Sequence, residues 1–156
     1  MPSGSQVAQC TVAGNPFPKR YIQTLGENLK IKNHNPGELY PQYPGYAHAV
    51  EVAGGARTLY ISGLNGYEKD GKTMPESFED QSKLIWRHMK AILASAGMDI
   101  GNLVFLRTYL ASPEYRELNK AIRKQYLGDH EIGITVVSAT LLLPEWKLEV
   151  EAIAAA

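Results

Sequence analysis

The stretch 147-KLEVEAIA-154 decides the fold. Apolar and polar residues alternate along it with the period of two that a strand with one buried face requires. Leu148, Val150 and Ala152 would share one face, and Glu149, Glu151 and Ile153 the other. On such a strand the two glutamates stand roughly 7 Å apart. If partly buried, they raise one another's pKa and suit proton transfer near neutral pH. If exposed, they are a solvated strand surface, as most strand glutamates are.

Working outward, Ile134 to Leu142 reads as a preceding strand, joined to the last one through a turn at Pro144-Glu145. Leu103 to Leu110 (LVFLRTYL) is a nearly continuous apolar run and reads as a central strand. Pro113 then suits the first turn of a helix that runs to about Tyr126 and ends at Gly128. Between Pro75 and Gly97 the apolar residues recur at helical spacing, with Ser77 as N-cap, Asp80 completing an imperfect capping box and Gly97 at the C-terminal end. The runs HAVEVA (48–53) and TLYISG (58–63), separated by Gly54 and Gly55, read as a hairpin. The order is β-β-α-β-α-β-β, an α+β mixed sheet. Two amphipathic helices are too few to cover both faces, so they are expected on one. The other face then needs an apolar cover, and a second copy of the chain is the economical one.

Residues 1–43 read as a Pro-rich, irregular N-terminal extension and 44–156 as the folded domain, because NHNPGELYPQYPG (33–45) has no period of 2 or 3.6. The 156 residues suffice for a single core, with 44% hydrophobic and 21% charged residues. Sixteen Lys+Arg balance sixteen Asp+Glu, so no global field attracts nucleic acid or an anionic membrane. The single cysteine, Cys10, excludes an intrachain disulfide framework. The N-terminus lacks a signal-peptide pattern, and no stretch approaches the 18 or so apolar residues of a membrane span. A cytoplasmic protein is expected.

Motifs for nucleotide loops, zinc hydrolysis and nucleophile elbows are absent from the sequence. His34, His48, His88 and His130 lack metal-ligand spacing, and no metal or organic cofactor is expected. Tyr40, Tyr43 and Tyr46 cluster ahead of the first strand; packing is favoured for Tyr40 and Tyr43, whereas Tyr46 is equally suited to packing or to walling a small-molecule pocket.

Four pieces in order, PGYAHAVEV (44–52), LYISGLNG (59–66), the helix with Gln81 ending in ILASAG (92–97), and KLEVEAIA (147–154), resemble the RidA (YjgF) family of enamine/imine deaminases. The resemblance spans roughly residues 44 to 154. It implies a chorismate-mutase-like fold and a homotrimer with pockets between subunits. Position by position it places the family's pocket tyrosine on Tyr46, its Ser-Gly on Ser62 and Gly63, its second-helix asparagine on Asn119 and its water-holding glutamate on Glu149. In the family's reaction that water attacks a C=N carbon and ammonia leaves. Two positions depart. Counting back without gaps, the arginine that clamps a substrate carboxylate falls on Ile134, and the glutamine after Ser-Gly is Leu64. An isoleucine cannot imitate a bidentate guanidinium.

The expectation is a deaminase or related hydrolase acting on an enamine, imine or other unsaturated nitrogen compound that is not a simple 2-imino acid, such as an aminomuconate-like or biosynthetic-pathway intermediate. Leu64 and Ile134 would then line the site, and Arg107 either replaces the clamp or forms a structural ion pair. The alternative is a non-catalytic small-molecule-binding or protein-interaction module. Ribonuclease activity, sometimes attributed to the family, finds no basic-aromatic patch here.

Overall fold

The computed structural model describes residues 30–41 and 48–156. Its strands are β1 (Lys30–His34), β2 (Ala49–Ala53), β3 (Arg57–Leu64), β4 (Leu103–Leu110), β5 (Gly133–Ser138) and β6 (Leu148–Ala155); its helices are α1 (Phe78–Ser95) and α2 (Arg116–Leu127). The six strands form one sheet in the order β1-β2-β3-β6-β4-β5. Only β4 and β5 run parallel, as strands joined through a helix do; the other neighbours are antiparallel.

The α+β mixed sheet expected from the sequence is the observed architecture. Leu148, Val150, Ala152 and Ala154 of β6 are buried in a core shared with Ile85, Met89, Ile92 and Leu93 of α1 and Ile122 of α2. Glu149, Glu151 and Ile153 lie on the opposite face and remain half-buried. That face continues through Tyr109, Arg107 and Phe105 of β4, which stand across from Glu149, Glu151 and Ile153 respectively.

The ends of α1 are set locally. Ser77 Oγ accepts the amide of Asp80 at 3.0 Å and donates to the Asp80 carboxylate at 2.7 Å. At the other end Gly97 takes φ +66°, its amide bonds the Ala94 carbonyl and the Met98 amide the Leu93 carbonyl, both at 2.9 Å. These two bonds make a Schellman motif, and its buried Leu93 and Met98 add the apolar contact that usually accompanies one.

Two expectations about strands need correction. The strand expected over 134–142 stops at Ser138, and β6 begins at Leu148, two residues later than Trp146. The turn at Pro144-Glu145 exists, with the Trp146 amide on the Leu143 carbonyl at 3.2 Å, but β5 and β6 flank β4 instead of pairing with each other. Gln81, fully buried on α1, holds the C-terminal end of the loop between them: its Nε2 donates to the Pro75 and Glu145 carbonyls at 2.7 and 2.9 Å, and its Oε1 accepts the Lys147 amide at 2.9 Å.

The second correction is β1, within a region that the sequence pattern leaves irregular. KIKNH has no alternating apolar face, so its order comes from tertiary contacts. His34 Nε2 meets Glu51 Oε2 at 2.8 Å and its Nδ1 meets Ser95 Oγ at 3.1 Å. Arg57 donates to Glu51 at 3.4 Å and to the Ala96 carbonyl at 2.8 Å. Burial by itself would raise the Glu51 pKa, but the His34 bond and the Arg57 charge hold it below the ordinary carboxylate value. Among the described residues no helix is long and apolar enough to cross a membrane.

Candidate functional site

Glu149 is placed by an irregularity in the neighbouring strand. Ile61 pairs with Ala152 but Leu64 with Val150, so β3 advances three residues while β6 advances two. Such a bulge bends the strand and re-aims its residues. Ser62 and Gly63 occupy it, and the Glu149 side chain lies over Gly63. A Cβ added at residue 63 would overlap Glu149 Oε1 and stand 2.9 Å from Cδ and 3.2 Å from Cγ. What glycine provides here is room for the Glu149 carboxyl group, not a special backbone angle, since Gly63 is not among the positive-φ residues.

The carboxyl group separates two hollows. One, of about 400 Å³, is lined by Tyr40, Gly63, Asn65, Tyr67, Gly71, Leu142, Leu143, Trp146 and Glu149. The other, of about 350 Å³, is lined by Tyr109, residues 139–142, Glu149 and Glu151. Burial raises the pKa of Glu149 above the ordinary carboxylate value, and the nearby charge of Glu151 raises it further. Of the two readings of the paired glutamates, the structure therefore favours the partly buried one for Glu149.

The larger hollow has an aromatic wall. Trp146 Nε1 donates to the Tyr67 hydroxyl at 3.0 Å, and Tyr67 meets the edge of Tyr40 with ring centroids 5.9 Å apart. Tyr40 packs in turn on His48 and His88, at 5.2 and 5.6 Å. Both imidazoles are buried, and burial lowers their pKa values, that of His88 to about 4, so they are neutral at pH 7. Asn65, 7% exposed, lines the same hollow and its side-chain Nδ2 has no hydrogen-bond partner among the described residues. A buried amide donor without a partner carries a desolvation cost that a bound acceptor would relieve.

The residues singled out from the sequence are only partly brought together. Gly63 and Glu149 touch, with Ser62 beside them in the bulge. Leu64 points the other way and is fully buried in the core. Ile134 pairs with the core residue Leu106 and lies, 41% exposed, next to α2. Asn119 is buried on α2 and lines neither hollow. Arg107 forms an ion pair with Glu151, bonds Tyr109 and lies 5.3 Å from the Phe105 ring centroid, so the structure favours its ion-pair reading. Tyr46 and Tyr43 fall outside the described residues.

Sequence reasoning missed Asn65, Tyr67, Trp146 and the Leu142–Leu143 wall; the packing favoured for Tyr40 is observed, and Tyr40 lines the hollow as well. Leu141 and Leu142 read as the end of a strand and Leu143 as the approach to the turn; in the folded chain they line the hollows beside Glu149. Among the described residues no group of three or more His, Cys, Asp or Glu is arranged to hold a metal ion.

Residues 40–156 match the family model described as Endoribonuclease L-PSP. A RutC family protein of Aquifex aeolicus (strain VF5) is 31% identical over 107 residues, covering 68% of this chain and 81% of that protein. The "Putative reactive intermediate deaminase TdcF" of Escherichia coli (strain K12) is 27% identical over 85 residues, or 52% of this chain and 65% of that protein. Two solved structures share the fold: yeast Mmf1, with TM-score 0.74, 22% identity and coverage of 80% of this chain and 98% of that one, and E. coli TdcF with bound serine, with TM-score 0.71, 22% identity and the same coverages.

Proposed function

The chain belongs to the Endoribonuclease L-PSP (RidA/YjgF) family, which includes proteins named reactive intermediate deaminases, and from that membership we propose that it hydrolyses the C=N bond of a small imine, or of an enamine after tautomerisation, releasing ammonia. The observation that carries this reading is the Glu149 carboxyl group, seated on Gly63 between two hollows with its pKa raised. A carboxylate made more basic by burial can take a proton from water as the oxygen attacks the imine carbon and return one to the departing nitrogen. The balance is R₂C=NH + H₂O → R₂C=O + NH₃, with no redox step and no cofactor.

Asn65 offers a donor to an acceptor on the substrate, and Tyr40, Tyr67, Leu142 and Trp146 supply apolar walls. Among the described residues no cationic side chain lines either hollow. A substrate with a large apolar part and no obligatory carboxylate suits such walls better than a simple 2-imino acid. Self-association into a homotrimer belongs to the same proposal: on the helix-free face Tyr60 is 51% and Val137 41% exposed, and a second copy would cover them. Tyr46 keeps the substrate-orienting role that the family resemblance implies, whereas Asn119, buried on α2 and lining neither hollow, is left out of the proposed site.

Ammonia release from a panel of aryl, alkyl and carboxylated imines generated in situ tests the reading. Glu149→Gln is expected to lower kcat/KM at least about a hundredfold on the best substrate. Equal ammonia release by both proteins would sink the assignment, and tight binding without turnover by the wild type would favour the non-catalytic module.

A further inference from the structure

The helix side of the sheet holds a further hollow, of about 640 Å³, between α2 and β5. Lys120, Arg123, Lys124 and Leu127 project into it from one stripe of α2, being three, four and seven residues apart, with Ile132 and Ile134 as the facing apolar wall. Arg123 is the unusual member. Its Nη1 is buried and has no hydrogen-bond partner, and the side chain enters no ion pair among the described residues. Burial pushes its pKa down with no opposing carboxylate. Glu131 lines the hollow without pairing to Arg123, Lys124 is engaged by Asp129 at 2.7 Å, and His130 is anchored by donation from Nε2 to the Leu103 carbonyl at 2.8 Å.

A guanidinium nitrogen withdrawn from water without an acceptor is costly, and none is supplied among the described residues, while the rest of this half-buried side chain lines the hollow. What would complete it is a planar or tetrahedral oxyanion, which the guanidinium fork accepts in two parallel hydrogen bonds. Lys120 adds a second positive charge, while Leu127, Ile132 and Ile134 suit a short apolar body. We propose that this hollow is an oxyanion-binding site, taking the carboxylate or phosphate head of a small molecule with an apolar tail. It lies on the opposite side of the sheet from Glu149 and does not rest on the deaminase reading.

The test titrates the full chain with inorganic phosphate, isobutyrate and neutral isobutyramide at constant ionic strength, following the thermal midpoint and the Arg123 side-chain NMR signals. At least one of the two anions is expected to raise the midpoint and shift the Arg123 Nε–H signal; which one does so identifies the preferred head group. Isobutyramide should do neither. Arg123→Gln should weaken anion binding about tenfold or more, and Arg123→Lys should retain part of it. The apo variant Arg123→Gln should melt at or above the wild-type temperature, because a cation with a buried, unpartnered nitrogen has been removed. The proposal is overturned if neither anion acts, if wild type and Arg123→Gln respond alike, if isobutyramide acts as well as isobutyrate, or if Arg123→Gln melts far below wild type, which would mean that the guanidinium is already satisfied.

Discussion

Gly63→Ala separates the site from the scaffold. The new methyl group would occupy the place of Glu149 Oε1 and press on Cδ at 2.9 Å. Its backbone requires no left-handed angle, so the chain tolerates alanine there, and the atom that must yield is the far end of a flexible side chain. Displacing Glu149 into a poorer rotamer costs about 0.5–1.5 kcal/mol. Against this, alanine in place of glycine within a strand gains about 0.5–1 kcal/mol. Net stability should therefore change by no more than about 1 kcal/mol by urea denaturation, while kcat/KM falls at least about a hundredfold with the loss of a positioned base. A readout free of substrate accompanies this: the Glu149 carboxyl, moved toward water, should titrate lower in a ¹³C-NMR pH series than in the wild type, where burial raises it. In a double-mutant cycle, Gly63→Ala should have little further effect in a Glu149→Gln background, since both changes act through one carboxyl group. An unaltered Glu149 titration, or fully additive losses in the cycle, would refute the claim that Gly63 exists to seat Glu149.

Two further outcomes follow from buried polar groups. Gln81→Leu removes one acceptor and two donated bonds and leaves the Lys147 amide and the Pro75 and Glu145 carbonyls short of partners; a loss of about 2–4 kcal/mol is expected in chemical denaturation, with broadened NMR signals in residues 139–147, and a loss under about 0.5 kcal/mol would show that the loop is held otherwise. His88 has its pKa lowered from 6.5 to about 4, chiefly by burial. The unfolded chain therefore binds a proton at this residue below pH 6.5 while the folded chain resists it, so its contribution to stability is present above that pH and lost as pH falls toward 4, by an amount on the order of 3 kcal/mol. His88→Leu should flatten the decline in unfolding free energy between pH 7 and pH 4.5; an unchanged slope would assign the acid sensitivity elsewhere.

Local pattern determined most of the elements. The alternation in 148–154 is a property of neighbouring side chains, and it correctly put Leu148, Val150 and Ala152 in the core and both glutamates on the far face. The limits of α1 were legible because Ser77 and Gly97 act on bonds within a few residues. The failures share a cause, which is distance along the chain. β1 has no periodic signature because His34 is ordered by Glu51 and Ser95, 17 and 61 residues away. The strands expected on either side of Pro144-Glu145 were drawn too long because a residue that holds the loop, Gln81, is 64 and 66 residues from the groups it binds there.

The glutamate pair divides along the same line. Spacing alone left Glu149 and Glu151 equivalent, and the family resemblance assigned the chemistry to Glu149 without giving a physical difference between them. The tertiary structure supplies that difference: register sets Glu151 opposite Arg107, with which it forms an ion pair, whereas the bulge at Ser62-Gly63 clears room for Glu149 between two hollows. A period of two determines which face a side chain takes. Which charge or void that face meets depends on strands brought alongside from elsewhere in the chain, and only the assembled sheet decides it.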